Sequence, residues 1–251
     1  MAGPASLAAW TAGLTGAKRA VAGVLLGAMS VLAFAPFHIW PILFVSFGGL
    51  VWLLDGCYRS RTTPSARLFC GALTGLWFGF GFFLTGLYWI AEACLVEPGR
   101  HGWLIPLVMT ALPGGMALFF AVGCTIAMAI WRPGPARIFS LAFGLGLSEL
   151  ARGHILTGLP WNLIGYGLLA NLPLMQLAAL FGIYALTIFA IAAFAAPAAI
   201  WNGTGARSRG ALLVTGLMLA LLGTSFLWGE GRLAGRGDTS AQLRVRLVQA
   251  N

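Results

Sequence analysis

The chain has 251 residues, of which 59% are hydrophobic and only 8% are charged. A soluble domain carries about a quarter charged residues, so this composition excludes a water-facing surface over most of the chain. The net charge of +9 would be typical of nucleic-acid binding in a soluble protein. Here the arginines lie between apolar runs, where they set topology and contact lipid head groups, so no nucleic-acid partner is expected.

The predicted elements are helices, because the apolar runs are long and do not alternate with polar residues. Backbone in lipid must be satisfied within helices or closed barrels. The predicted fold is therefore an all-α polytopic membrane protein with about seven transmembrane helices. In chain order, the predicted spans are 20–35, 39–54, 68–90, 103–131, 138–151, 172–200 and 211–228.

The charges between these spans predict the orientation of the bundle. If the N-terminus is cytoplasmic, the outer connections before the final tail carry only two basic residues, Arg100 and Arg152. The cytoplasmic segments then carry Lys18, Arg19, Arg59, Arg61, Arg67, Arg132, Arg137, Arg207 and Arg209. This asymmetry follows the positive-inside rule. It predicts a multi-pass protein whose residues after 228 lie outside the cytoplasm.

The end of the chain is a different kind of sequence. Residues 229–241 are rich in Gly and polar, which is typical of a linker. In residues 242–251, Leu243, Val245 and Leu247 alternate with arginines, as in a β-strand, which is not stable alone. Two interpretations remain, the first strand of a further domain or a disordered polar tail. The predicted organisation is a transmembrane domain over 1–228, then this linker, then the start of that domain.

Glu149 and Arg152 are charged residues in apolar surroundings, at the end of the fifth predicted span. A charge at the centre of a span costs about 2.5–3.5 kcal/mol on insertion scales. The two residues are three positions apart, so they share one helix face and can pair. Either the pair anchors a site at the outer membrane face, or it ends the helix as an ion pair in the interface.

The stretch that follows this pair breaks the helix. Pro160 removes a backbone donor, and Gly158 permits a tight bend. Trp161 and Tyr166 suit the head-group level. The stretch is either part of an ordinary aromatic belt or a re-entrant loop that lines a cavity accessible to lipid.

Two other aromatic segments, residues 33–41 and 86–90, are predicted at the same membrane face. This convergence is compatible with a site for an amphipathic substrate. The three histidines, His38, His101 and His154, do not combine with other residues into a complete catalytic site. The four cysteines have no metal-binding or redox spacing, so neither a metal nor a cofactor is expected.

Three stretches together resemble the bacterial apolipoprotein N-acyltransferase family: LAFAPFHIWPI at 32–42, SELARGHILTGLPWNLIGY at 148–166 and VRLVQAN at 245–251. The middle stretch is the most specific, with its E-x-x-R-G, T-G-L-P-W-N and G-Y elements. GLYWIAEACLVEP at 86–98 adds support. The resemblance covers essentially the whole chain, in the same order.

The resemblance implies an enzyme of the bacterial inner membrane. Such enzymes move an acyl chain from a phospholipid donor to the N-terminal amine of a diacylglyceryl-cysteine on an apolipoprotein. They use a Glu-Lys-Cys triad in a nitrilase-like domain and pass through a thioester. VRLVQAN resembles only the first strand of that domain, so the triad is expected beyond Asn251. No catalytic residue is carried over, and this chain alone is predicted to be inactive.

The resemblance implies that some residues of this chain form a platform under the active site and help lipid chains to enter from the bilayer. Its residues are Glu149, Arg152, Thr157, Gly158, Pro160, Trp161, Asn162, Gly165 and Tyr166. A non-catalytic lipid-binding scaffold is the alternative function. A transporter is disfavoured, because no span carries a midplane cluster of ionisable residues and no inverted repeat is visible.

Overall fold

The computed structural model describes residues 3–201 and 209–235. Within these ranges all regular structure is helical, and no β-strand occurs. The strand predicted in residues 242–251 lies outside the described residues, as does the linker after residue 235.

The described residues form eleven α-helices, several of them only one turn long. They are α1 Pro4–Gly13, α2 Gly16–Ser30, α3 Ile42–Ser60, α4 Pro64–Gly86, α5 Glu92–Leu95, α6 Pro98–His101, α7 Ile105–Ala129, α8 Arg137–Arg152, α9 Leu172–Met175, α10 Ala178–Ala195 and α11 Arg209–Ala234. Short 3₁₀ segments join several of them, including Val31–Ala33 and Ile164–Leu168.

Six helical segments of the described chain are long and apolar enough to cross a membrane. They are Gly16–Ala33, Ile42–Ser60, Pro64–Gly86, Pro98–Ala129, Ala178–Ala199 and Arg209–Ala234. An all-α polytopic membrane protein is thereby confirmed. The predicted span 138–151 corresponds to α8, which has only 16 residues and is not among the six. Length and composition therefore do not confirm the predicted total of seven.

Most helix boundaries differ from the prediction by a few residues, and α3 continues to Ser60 instead of ending at residue 54. The span predicted to start at residue 172 is broken, because α10 begins at Ala178 and Gly182 within it has a φ of +73°. α1 was not predicted; it packs against α3. α11 continues to Ala234, so the first six residues of the predicted linker, 229–234, are helical. Glycine weakens a helix by only about 1 kcal/mol, and the leucine, arginine and alanine beside it are good helix formers.

Glycines allow α4 to pack closely between α2 and α7. A Cβ added at Gly75 or Gly79 of α4 would collide with Phe120 of α7. A Cβ added at Gly27 of α2 would overlap the backbone carbonyl of Phe78. Small residues at such contacts let backbones approach, which drives helix association in lipid.

We expect Gly27→Ala to lower the stability of the bundle by about 1–3 kcal/mol, because α2 must move away from the Phe78 carbonyl. Gly114→Ala in α7 is the matched control, since a Cβ there meets open space. Alanine is the better helix former, so this control should be neutral or slightly stabilising. Thermal unfolding in detergent measures both variants, and equal midpoints would contradict the close approach of α2 and α4.

The two ends of the bundle differ in the residues that hold them together. At the end where α2, α4 and α8 begin and α3 finishes, Arg19 contacts Cys57, and Cys57 forms a disulfide with Cys70. Cysteine spacing did not predict this disulfide. Arg137 pairs with Asp55 at the same end. We call this the basic end, and we call the opposite end, where α8 leads into residues 153–168, the loop end.

Two arginines that were predicted in cytoplasmic loops lie inside the bundle instead. Arg19 is 7% exposed and Arg137 is 1% exposed. Arg137 lies 3.2 Å from Asp55, which also accepts a hydrogen bond from the indole nitrogen of Trp131 at 3.2 Å. The buried carboxylate of Asp55 compensates the charge of Arg137. Arg19 instead donates to the carbonyl of Leu14 and contacts the sulfur of Cys57.

Candidate functional site at the loop end

Glu149 and Arg152 form a buried ion pair in the last turn of α8. The Arg152 Nη2 and Glu149 Oε2 atoms are 2.5 Å apart, and the exposed fractions of the two side chains are 1% and 0%. The Arg152 guanidinium also lies 5.0 Å from the ring centre of Phe83 on α4. The pair is therefore enclosed by protein on all sides.

Arg152 also holds the loop that follows α8. Its Nη1 donates to the carbonyl of Leu159, and the Leu159 N–H donates to the carbonyl of Arg152 at 3.0 Å. Between these contacts the chain turns at Gly158, whose φ of +72° favours glycine. A Cβ there would overlap the carbonyl of Gly153. The result is a compact loop closed at its base by a single arginine.

Asn162 joins this loop to the end of α4. Its side-chain amide donates to the carbonyl of Gly86 at 3.1 Å, and its φ is +54°, a region that asparagine tolerates. The ring of the preceding residue, Trp161, lies 4.9 Å from that of Trp89. Two segments that are distant in sequence are thus fixed side by side.

Gly165 joins the loop to α10. Its N–H donates to the Thr187 hydroxyl at 3.2 Å, and that hydroxyl donates to the carbonyl of Ile183 at 2.9 Å. A Cβ at Gly165 would lie 2.9 Å from the Thr187 oxygen, which is closer than real Cβ contacts allow. The 3₁₀ segment Ile164–Leu168 can therefore lie flat against α10.

A cavity of about 580 Å³ lies at the loop end, between three segments of the chain. These segments are the turn after α2, the end of α4 and the loop after α8. Its described lining residues are Ala28, Val31, Leu32, Phe34, Ala35, Pro36, Phe37, His38, Thr85, Gly86, Tyr88, Trp89, Asn162, Tyr166 and Leu169. The aromatic segments that the sequence predicted at one membrane face therefore surround one cavity.

The cavity is mostly apolar, with a few polar groups at its wall. The polar groups are Thr85, His38, Asn162 and the hydroxyls of two tyrosines. Such a wall suits an acyl chain with a polar end. The Thr85 hydroxyl donates to the carbonyl of Gly81 at 2.9 Å. Among the described residues, no hydrogen bond joins His38 to Thr85 or to either tyrosine, so the wall shows no nucleophile paired with a base.

The predicted platform residues divide into two groups. Asn162 and Tyr166 line the cavity. The others do not line it; they are Glu149, Arg152, Thr157, Gly158, Pro160, Trp161 and Gly165. Most of these shape the loop through the contacts described above, whereas Thr157 is simply exposed.

Sequence reasoning missed Leu159, Phe83 and Thr187, which hold the loop in place. A leucine, a phenylalanine and a threonine are ordinary residues in apolar segments, so no signal marked them. Asp55 was missed as well. Here the sequence did carry a signal, since Asp55 is the one acidic residue of the apolar helix α3.

One protein family, the apolipoprotein N-acyltransferase N-terminal domain, matches residues 26–196. The chain belongs to this family. The match includes the turn after α2, all of α4 and the loop after α8, which are the three segments around the cavity.

Relatives from three bacteria extend the match over nearly the whole chain. The apolipoprotein N-acyltransferases of Rhodopseudomonas palustris and Brucella suis are each 42% identical to it, over 239 and 238 residues. That of Sinorhizobium medicae is 41% identical over 239 residues. Each alignment covers 94% of this chain but 44% of the relative. The chain thus spans less than half the length of these curated relatives.

Proposed function

We propose that this chain forms the membrane part of an apolipoprotein N-acyltransferase. The enzyme would transfer an acyl chain from a phospholipid to the N-terminal amine of a diacylglyceryl-cysteine on an apolipoprotein. Family membership supports this function. The observation that carries it is the apolar cavity at the loop end, which is bounded by the segment that most resembles the family.

In this proposal the cavity receives an acyl chain, and the loop after α8 forms its rim. Arg152 fixes the base of the loop through Leu159, while Asn162 ties the loop to α4. The resemblance implies that the family's Glu-Lys-Cys triad belongs to a nitrilase-like domain, of which residues 245–251 resemble only the first strand. Residues 1–251 alone are therefore proposed to bind lipid without transferring acyl chains.

We also propose seven crossings, with the N-terminus in the cytoplasm of a bacterial inner membrane. α7 finishes at the basic end and α10 starts at the loop end, so α8 must carry the chain between them despite its 16 residues. The exposed Arg59, Arg61 and Arg132 gather at the basic end. By the positive-inside rule that end faces the cytoplasm, and the cavity then faces the periplasm.

The function is tested by giving the intact protein phospholipid vesicles and a diacylated lipopeptide that starts with cysteine. Mass spectrometry should detect a third acyl chain, linked as an amide to the cysteine. Residues 1–251 alone should give no product. A folded intact protein that yields no triacylated peptide would contradict the proposal.

The cavity is tested in the same assay by Leu32→Trp, which places a large ring in its wall. We expect kcat/KM for the phospholipid to fall by at least about tenfold, because the added ring competes with the acyl chain for space. The matched control is Leu7→Trp on the exposed face of α1, away from the cavity. If both substitutions lowered kcat/KM equally, the cavity would not be the place where the acyl chain binds.

A further inference from the structure

Arg19, at the start of α2, is buried without a carboxylate partner. Its exposed fraction is 7%, and its Nε donates to the carbonyl of Leu14 at 2.9 Å. Its Nη1 contacts the sulfurs of Cys57 and Cys70, and sulfur is a weak acceptor. Over residues 3–201 and 209–235, no acidic side chain forms an ion pair with it.

The second guanidinium nitrogen of Arg19, Nη2, is buried and has no hydrogen-bond partner among the described residues. A buried charged donor without an acceptor is unfavourable by several kcal/mol. The two other buried arginines of the bundle behave differently, since Arg137 and Arg152 each contact a carboxylate. Arg19 therefore lacks an anion that the described part of the chain does not supply.

A cavity of about 500 Å³ lies beside Arg19, between α2 and α4. Arg61 also lines this cavity, and so do Gly16 and Ala17, the first two residues of α2. The Thr15 side chain does not cap the helix, so the free N–H groups of its first turn add to the positive potential. None of the described lining residues is acidic.

The opposite wall of this cavity is apolar and continues along α4. Phe69, Leu73 and Trp77 recur every four residues, so they form a track about 12 Å long on one face of the helix. Their exposed fractions are 65%, 39% and 39%. A positive pocket that opens onto an apolar track matches an anionic head group with an attached acyl chain. An inorganic anion would use only the first half of this surface.

This surface is separate from the cavity at the loop end. On α4 the nearest lining residues of the two cavities are Trp77 and Thr85, which are about 12 Å apart along the helix axis. The pocket beside Arg19 therefore belongs to the basic end of the bundle. A lipid could bind there in any protein of this fold that lies in a membrane, whether or not the protein transfers acyl chains.

We propose that the cavity between α2 and α4 binds an anionic phospholipid. Arg19 and Arg61 hold the phosphate group, and the track of Phe69, Leu73 and Trp77 accommodates one acyl chain. The lipid phosphate supplies the negative charge that no carboxylate of the described residues gives to Arg19. The bound lipid also bridges the two helices at the basic end.

Native mass spectrometry of the intact protein, titrated with phosphatidylglycerol in detergent, tests the site. We expect one tightly held lipid in the wild type and about tenfold weaker binding in Arg19→Gln, because a charge-assisted contact is lost. The matched control is Arg132→Gln, which removes an exposed arginine that does not line the cavity. Equal affinities in the wild type and Arg19→Gln would overturn the proposal.

Two further probes distinguish the lipid from a free anion. Diacylglycerol, which has the chains without the phosphate, should not occupy the site, and inorganic phosphate in excess should not displace phosphatidylglycerol. Displacement by inorganic phosphate would overturn the assignment to a lipid. If Arg19→Gln does not fold, Arg61→Gln takes its place, because Arg61 is exposed and lines the same cavity. Unchanged lipid affinity in a folded Arg61→Gln variant would equally overturn the proposal.

Discussion

Arg152→Ala is expected to lower kcat/KM of the proposed N-acyl transfer by at least about a hundredfold. The substitution leaves Glu149 buried without its partner, which destabilises a protein by about 3–5 kcal/mol. It also removes the donor to the Leu159 carbonyl, so the loop keeps only one of its two hydrogen bonds to Arg152, the backbone bond from the Leu159 N–H. The measurement is the rate of triacylated peptide formation at several phospholipid concentrations, together with the unfolding midpoint.

Two controls separate a positioning role from simple stability. Arg100→Ala removes an arginine from a pair of the same spacing, Glu97 and Arg100, whose side chains are 62% and 78% exposed. Exposed pairs contribute at most about 1 kcal/mol, so activity should not change. The double variant Glu149→Leu/Arg152→Leu should regain most of the stability, because replacing a whole buried pair by apolar residues is often neutral.

The double variant should nevertheless remain poorly active, since no leucine can donate to the Leu159 carbonyl. If it regained wild-type kcat/KM, the pair would merely end the helix and would have no part in positioning the loop. Wild-type activity in Arg152→Ala would lead to the same conclusion.

Asp55→Leu is expected to destabilise the basic end by about 3–5 kcal/mol, because Arg137 would stay buried without a carboxylate. Arg137 donates to two backbone carbonyls, those of Gly134 and Ala198. These bonds keep the guanidinium inside the bundle when its partner is removed. The measurement is the unfolding midpoint in detergent, which should fall clearly below that of the wild type.

The control for Asp55→Leu is the double variant Asp55→Leu/Arg137→Met, which removes both charges and should be much less destabilised. Glu92→Leu, at an exposed acidic residue, should leave the midpoint unchanged. If Asp55→Leu matched the wild type, the Arg137 charge would have to be satisfied by water or lipid, and the buried pair would not stabilise the bundle.

The helices were predictable because composition alone determines that long apolar runs cross lipid as helices. The boundaries of the helices were harder to predict than their existence. Gly182 interrupts an apolar run without changing its hydropathy, so the break before α10 left no mark on the pattern. The extension of α11 through residues 229–234 was not predicted, because these residues are polar and Gly-rich and look like a linker. Such a sequence can still continue a helix that has already formed.

The candidate site was predictable to the extent that unusual residues marked it. Glu149 and Arg152 stood out as charges in an apolar segment, whereas Asn162 was indicated only by the family resemblance. In the structure Glu149 pairs with Arg152, and Arg152 and Asn162 make contacts that hold the loop. The buried positions of Arg19 and Arg137 were not predictable, because an arginine at a span end has the same sequence context whether it faces head groups or the core.

The double attachment of Leu159 to Arg152 affects how the loop can move. The side chain and the backbone carbonyl of Arg152 bind the carbonyl and the N–H of the same residue. Neither bond can be lengthened far while the other is intact, so the loop cannot open gradually from its base. We therefore expect the amide hydrogens of the loop between Arg152 and Leu159 to exchange together, in a single opening event.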